Sequence, residues 1–533
     1  MNLSKTKKVF LFLSDQKFIF VILALFAIIS FAHLFRLESV PGGLYWDETS
    51  IGYNAATISQ AGVDENGYQH PIYFTTFGEN KNPVYIYSAA IIFKLFGVSD
   101  FNLRFTSFLF YIFGLIFTYL LVSRIFTKNK IIQVYLILSF GFLPQFFTLS
   151  RISFEVISQL TFISATLLLV WMVFNEQVTN MSRYFVLACG FALGISVYSY
   201  STARLLSFLM LGVLWVVYIK RENFKKLAVL TMTFLVTLVP FFVYAIRYPN
   251  ALTSRFDSIS YFFSNISVTE KISAFINQFI LYWSLDFLIN KGDANLRHSI
   301  GYGGIVFTIT FLLFFLGLVI ILTNKKLIFN RFNLFLLANL AISPVAAALT
   351  DVDTPHVLRS LLLGYFILII SCFGINFITQ VTPNKLRRIL IVGIITCLVY
   401  EIAVYQGYYF IIYPTKSIPV MNSYGIEELL QRAIDQGPKE VDLLEMSPEF
   451  YATEKFYSYI LKNPQNILLS QADHFKPFPG ICYIFPQEIK SELISSIPYD
   501  EFESQYQLNP FETIFKVNPP EISYLARCYK TGP

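Results

Sequence analysis

Charge is what this chain has least of. Asp, Glu, Lys and Arg make up 14% of its 533 residues, while 55% are hydrophobic; a soluble domain carries about 25% charged residues. Such a chain cannot face water on all sides, so a soluble globular protein is excluded and a polytopic membrane protein is indicated. The formal net charge of +6 is no nucleic-acid footprint, because the cations sit between apolar runs, where topology signals sit. No nucleic-acid partner is expected. Cysteine and histidine are equally scarce, at 5 each. No metal-ligand spacing is legible, and the chain is too poor in cysteine for a disulfide scaffold. Cys189, Cys372 and Cys397 lie in apolar runs and read as inert core thiols. Cys482 and Cys528 lie in strand-like stretches of a polar tail, where an inter-strand disulfide and two free thiols are both open readings. Repeats and low-complexity stretches are absent, which excludes tandem arrays.

What is present is a series of long apolar runs. A spanning helix needs about 20 mostly apolar residues. Runs fall near 18–36, 103–124, 131–149, 156–174, 184–200, 204–219, 226–246, 302–322, 332–349, 359–378 and 387–410. The first follows Lys5-Thr6-Lys7-Lys8 and lacks a small-x-small site after it, so it reads as an uncleaved helix rather than a signal peptide. Cytoplasmic loops collect Lys and Arg. Such stretches come after the second, sixth, eighth and tenth runs: Arg124 to Lys130, Lys220 to Lys226, Lys325-Lys326, and Lys385 to Arg388. This parity predicts a multi-pass protein of the plasma membrane with its N-terminus cytoplasmic. Outside it lie loop 37–102, loop 247–301 and the segment 412–533. Val84 to Val98 and Ile272 to Ile289 read as interfacial helices. In the tail, Ile426 to Ala433 and Phe450 to Leu461 read as helices, and Lys439 to Leu444 as a strand. The expectation is an all-α polytopic membrane protein with about 11 transmembrane helices over 1–411, followed by a small extracytoplasmic α/β domain over 412–533.

Against this background Tyr45-Trp46-Asp47-Glu48 stands out, an acidic pair just past the first apolar run. Carboxylates are costly in hydrocarbon and cheap at its edge. Asp47 suits the N-cap of a helix over Glu48 to Ala61. It also suits a general base that withdraws a proton from an attacking hydroxyl; the two roles are compatible. Cations are expected inside, yet Lys81, Arg151, Arg204, Arg255, Arg297 and Arg359 fall on outer loops or outer helix ends. Snorkelling accounts for some of them. Convergence of cations from different turns would make a phosphate site, with Arg bidentate and Lys a point charge. His356 lies in such a turn and suits a phosphate oxygen, a metal, a sugar hydroxyl or a structural bond. His70, His298 and His474 offer less. Tyr198 and Tyr200 suit either stacking on a sugar or the interfacial aromatic belt.

The order of these pieces resembles a known class. Pro41-Gly42-Gly43-Leu44-Tyr45-Trp46-Asp47-Glu48 is followed by Gly52-Tyr53, Ala55-Ala56, Gly62, Gly67 and Pro71-Ile72-Tyr73-Phe74. Lys81-Asn82-Pro83-Val84-Tyr85, Phe96-Gly97 and Arg104 come next, then the turn Tyr198 to Arg204. Over its first 220 residues the chain resembles the integral-membrane glycosyltransferases of the GT-C class, which include protein O-mannosyltransferases, lipid A aminoarabinose transferases and bacterial relatives. Beyond that the likeness rests on Arg297-His298, on His356 with Arg359, and on the outer tail. Asn80 stands where some relatives have Glu, one place before Lys81, so no role is carried to Glu79.

The resemblance implies a sugar donor on a polyprenyl phosphate and a hydroxyl acceptor on a lipid, glycan or protein. It implies transfer on the outer face with inversion. Asp47 would be the catalytic base, with Glu48 orienting the site or sharing a divalent metal with it; such a metal is admitted and not required. Lys81, Arg151, Arg204 and Arg359 would bind the donor phosphate. Tyr45, Tyr198, Tyr200, Arg255, Arg297 and His356 are further substrate-binding candidates. A transporter or flippase of lipid-linked glycans, and a glycan polymerase or ligase, are the alternatives; a membrane scaffold acting through its tail is a third.

Overall fold

In hydrocarbon every backbone N–H and C=O must be satisfied within its own segment, which leaves the apolar runs one solution, the helix. The computed structural model describes residues 3–127, 129–176, 182–381, 383–421, 423, 425–435, 440–444, 447–461, 466–470, 481–486 and 524–528. Helices α1 (Leu3–Leu34), α2 (Trp46–Ala61), α3 (Pro83–Phe96) and α4 (Asp100–Ile125) open the chain. The chain divides into two compact units. One comprises Met1–Leu37, Asn82–Tyr85 and Phe105–Ile411; the other comprises Glu38–Lys81, Ile86–Arg104 and Ile412–Pro533.

The first unit is helical. Among the described residues, seven helices are long and apolar enough to cross a bilayer: Gln16–Leu34, Asp100–Ile125, Val156–Phe174, Val268–Asn290, Arg331–Ala348, Leu361–Gln380 and Asn384–Val420. Phe224–Thr237 and Val239–Arg247, bent by 43°, make an eighth if taken as one span. Lys130–Phe142, Arg183–Ser196, Ala203–Tyr218 and Thr308–Thr323 are apolar but shorter. Proline explains several of the interruptions. Pro144 removes a donor and holds Leu143 extended at ψ 127°, so the run at 131–149 becomes Lys130–Phe142 plus Pro144–Leu149. Pro240 and Pro344 sit at the other two breaks. Ile272 to Ile289, expected at the interface, belongs to Val268–Asn290 and is long and apolar enough to span. Helices Thr308–Thr323 and Leu361–Val381 meet through Gly317 and Gly374; a Cβ on either would strike the other helix's backbone. This is the close approach small residues permit between membrane helices.

The second unit holds α2 and a hairpin of β1 (Phe74–Thr76) and β2 (Glu79–Lys81), in register Phe74↔Lys81 and Thr76↔Glu79. Its two-residue turn has positive φ at both positions, 52° at Phe77 and 74° at Gly78, the backbone that matches the twist of a tight hairpin. The tail forms Ile426–Asp435, β3 (Glu440–Leu444), Pro448–Ile460, β4 (Asn466–Ser470), β5 (Ile481–Pro486) and β6 (Tyr524–Cys528). The strand order is β4-β3-β5-β6, with β3 parallel to β4 and β5, and β5 antiparallel to β6. Pro448–Ile460 is the crossover that parallel pairing of β3 and β4 requires. Cys482 is disulfide-bonded, and its register partner across the strands is Cys528. The tail helices and β3 fall where the hydrophobic pattern puts them. His474 lies outside the described residues.

Candidate active site

The acidic pair opens α2. The helix starts at Trp46 with Tyr45 as N-cap, two residues earlier than the sequence suggests, so Asp47 lies in the first turn and is not the cap. The reason is Glu48, which at the third helical position accepts from the Tyr45 N–H at 3.0 Å. Both carboxylates sit at the positive end of the helix dipole. Burial separates them. Glu48 is fully buried and pairs with the fully buried Arg104, Nε to Oε1 at 3.2 Å. Arg104 also donates to the carbonyls of Pro41 at 3.0 Å and Gly43 at 2.5 Å. Glu48 thus ties the 41–45 turn to the start of α2; it is a positioning residue. Asp47 is the accessible member, its side chain 35% exposed, and it pairs with Lys81 at the end of β2. Each carboxylate therefore faces a cation, which leaves this pair poorly suited to a metal.

The turn before Asp47 is pinned from the tail. Leu44 N–H donates to Ser423 Oγ at 2.6 Å, Ser423 N–H donates to the Leu44 carbonyl at 3.0 Å, and Ser423 Oγ meets the Tyr457 hydroxyl at 2.9 Å. Tyr45 is half-buried and stacks on Trp46. Further along α2, Asn54 donates to Thr76 at 3.2 Å and accepts from the Glu65 N–H at 3.0 Å. Burial, with Asp64 beside it, raises the Glu65 carboxyl to about 7, against the pull of Thr76, Asn54 and Lys81.

The helix is braced along its length by Pro448–Ile460. Thr49 Oγ1 meets Thr453 Oγ1 at 2.8 Å, and Gly52 faces the Phe456 ring, which a Cβ would strike at 2.6 Å. Gly52→Ala is expected to destabilise the protein by about 1–3 kcal/mol, the usual penalty for overpacking, visible as a lower Tm; Gly52→Ala with Phe456→Leu should recover most of it.

Asn82, the next residue in the chain after Lys81, belongs to the first unit, where it is buried and doubly bound to Glu155. Its N–H donates to Glu155 Oε1, and its amide donates to Oε2 at 2.9 Å. Arg204 donates to Asn82 Oδ1 at 3.0 Å and to the Leu252 carbonyl at 2.6 Å. Glu155 escaped the sequence reading; the signal was an acid in the outer turn Ser150 to Glu155. Arg151 is fully buried. Nε donates to the Tyr409 hydroxyl at 3.2 Å, and the four remaining N–H groups reach the carbonyls of Ala32 and His33 in the last turn of α1 and of Phe35 and Arg36 just past it. All five donors of its guanidinium are thereby engaged. The Tyr198 hydroxyl accepts from Phe241 N–H at 3.0 Å and donates to the Thr237 carbonyl at 2.9 Å, spanning the helix break there. Tyr200 is half-buried.

The other outer cations gather around His356. Arg359 donates to Thr350 Oγ1 at 2.9 Å and to the Val352 carbonyl at 2.7 Å. Arg297 Nε donates to Asn295 at 3.0 Å. Burial pushes the His356 imidazole well below its ordinary range, and the neighbouring His298, Arg359, Arg297 and Arg255 add to the effect. Arginines from three separate outer segments thus bear on the electrostatics of one histidine.

Residues 80–246 match the family model of dolichyl-phosphate-mannose-protein mannosyltransferases. Among curated proteins none matches the sequence. The fold is shared with ArnT from Cupriavidus metallidurans. Its undecaprenyl-phosphate complex is 12% identical, with 95% of this chain and 97% of that chain covered and a TM-score of 0.58. The apo state is 12% identical over 96% and 98%, with a TM-score of 0.60. The Archaeoglobus fulgidus oligosaccharyltransferase in complex with Zn and sulfate is 12% identical over 95% of this chain and 73% of that chain, with a TM-score of 0.52. This polytopic helical chain thus shares the fold of these GT-C-type membrane proteins, and its segment 80–246, which holds Lys81-Asn82-Pro83, resembles the mannosyltransferase family.

Proposed function

We propose that the chain is a glycosyltransferase that moves a sugar from a polyprenyl-phosphate carrier to a hydroxyl of a lipid, glycan or protein on the outer face of the membrane, with Asp47 as general base. The observation that carries this reading is the division of labour in the acidic pair: Glu48 is sealed against Arg104, while Asp47 stays accessible beside Lys81. In the reaction the acceptor oxygen attacks the anomeric carbon, its proton passes to Asp47, and the bond from that carbon to the phosphate oxygen breaks with inversion. The leaving phosphate needs its charge offset rather than a proton, so one base suffices where glycosidases use two carboxyl groups. Fixed cations do this work best in a water-poor site. Lys81, Arg204, Arg255, Arg297 and Arg359 are the candidates for the phosphate. Arg151 is left out because its donors are spent on the end of α1.

The topology goes with this function. The N-terminus lies in the cytoplasm, and the segment after 411 lies outside the plasma membrane; the Cys482 disulfide supports an oxidising compartment for that segment.

The test is turnover by the purified, reconstituted protein of a panel of polyprenyl-phosphate sugars in the presence of envelope lipid and glycan acceptors, read by mass spectrometry. Release of polyprenyl phosphate coupled to a glycosylated acceptor supports the reading. Movement of intact lipid-linked glycan across the bilayer, with no sugar transferred, overturns it. Within that assay Arg359→Ala is expected to raise the donor KM about 10-fold or more, as for the loss of a hydrogen bond to a charged group, with Arg359→Lys recovering part of it and the acceptor KM unmoved.

A further inference from the structure

Two loops of the first unit bring Asp293, His298 and His356 together, all buried. Their ligand atoms lie within 4.8 Å of one another. His298 Nδ1 is 3.0 Å from Asp293 Oδ2, and His356 Nδ1 is 3.9 Å from the same oxygen. The two imidazoles stack with centroids 4.5 Å apart.

The aspartate is fixed from its own loop and from the other. Asn295 N–H donates to Oδ1 at 2.8 Å, and Val357 N–H donates to Oδ2 at 2.8 Å. His356 Nδ1 accepts from the Leu358 N–H at 3.2 Å, so that nitrogen carries a lone pair rather than a proton. His298 Nδ1 is the odd atom. It is buried and makes no hydrogen bond, although the carboxylate stands 3.0 Å away. A buried nitrogen and an anionic oxygen at that separation, misaligned for a hydrogen bond, are well held together by a cation that binds both. The spacing suits one. Two ligands each about 2.0–2.2 Å from a metal ion, on adjacent vertices of its polyhedron, stand about 3 Å apart.

We infer that Asp293, His298 and His356 form a binding site for a divalent cation of the zinc and cobalt class. Two imidazoles and one carboxylate suit these ions, whereas magnesium and calcium prefer oxygen ligands. Three protein ligands leave an open position, the pattern of sites that also hold an exogenous ligand. Arg255, Arg297 and Arg359 act on His356 and oppose a bare dication, so an oxyanion on the open position offsets them. On binding, His356 gives up its lone pair from the Leu358 N–H to the ion. The site depends on these three side chains and not on the glycosyl-transfer reading.

The test uses the full-length protein in detergent, carrying a tag without histidine. It is stripped with chelator, then equilibrated with Zn²⁺ or Co²⁺ with and without inorganic phosphate. The expected result is one metal ion per chain in at least one arm, with visible Co²⁺ absorption bands from nitrogen and oxygen ligands. His298→Ala and Asp293→Asn should weaken binding by about tenfold or more, and Asp47→Asn should leave it unchanged. Absence of bound metal in both arms overturns the site. So does metal that His298→Ala and Asp293→Asn retain, or that Asp47→Asn removes. The Co²⁺ spectrum of the unaltered protein keeps the question decidable if either variant fails to fold.

Discussion

Asp47→Asn is expected to lower turnover by about 10²–10⁴-fold, the contribution of a positioned general base, while leaving the protein folded. The amide keeps the shape of the carboxylate and cannot take a proton at neutral pH. The side chain is partly exposed, and exposed ion pairs of this kind contribute about 0–1 kcal/mol, so Tm should barely move. The loss should fall on kcat, because donor recognition is assigned to the cations. A variant with near-normal kcat would remove Asp47 from the chemistry.

The second large effect concerns the neighbour. Glu48→Ala is expected to destabilise the protein by about 3–5 kcal/mol, since it leaves the Arg104 guanidinium buried without its counter-charge. Activity should fall with it, because the 41–45 turn and the start of α2 lose their common anchor. A double-mutant cycle separates the two consequences. Glu48→Leu with Arg104→Met should recover much of the stability, as replaced buried pairs often do. It should not recover full activity, because the carbonyls of Pro41 and Gly43 lose their donor. If the double variant is as unstable as Glu48→Ala, the pair is not what holds this corner together.

Much of this architecture can be read from residue order alone. Val156–Phe174 falls where its apolar run does, because a polar turn precedes it and Asn175 ends it. Asp47 and Lys81 are legible separately as candidate site residues because acids and cations at a membrane edge are few, but their pairing is seen only in the fold. Other features are not legible, for identifiable reasons. An apolar run does not reveal that Pro144 breaks it into two helices. Arg104 reads in sequence only as a cation at the mouth of a span, and only the fold shows it sealed against Glu48. Arg151 looks like a phosphate ligand for the same reason, yet its donors close off the end of α1. Asp293, His298 and His356 have no regular spacing, and it is the meeting of two distant loops that makes them a cluster.

The seat of Gly52 against Phe456 reaches beyond stability. Grafting a foreign tail onto this chain to redirect its acceptor choice would put an unmatched surface under the turn that carries the proposed base. Productive chimeras should keep the 448–460 segment native and exchange only residues C-terminal to it. In natural variation, a larger residue at 52 should arrive with a smaller one at 456.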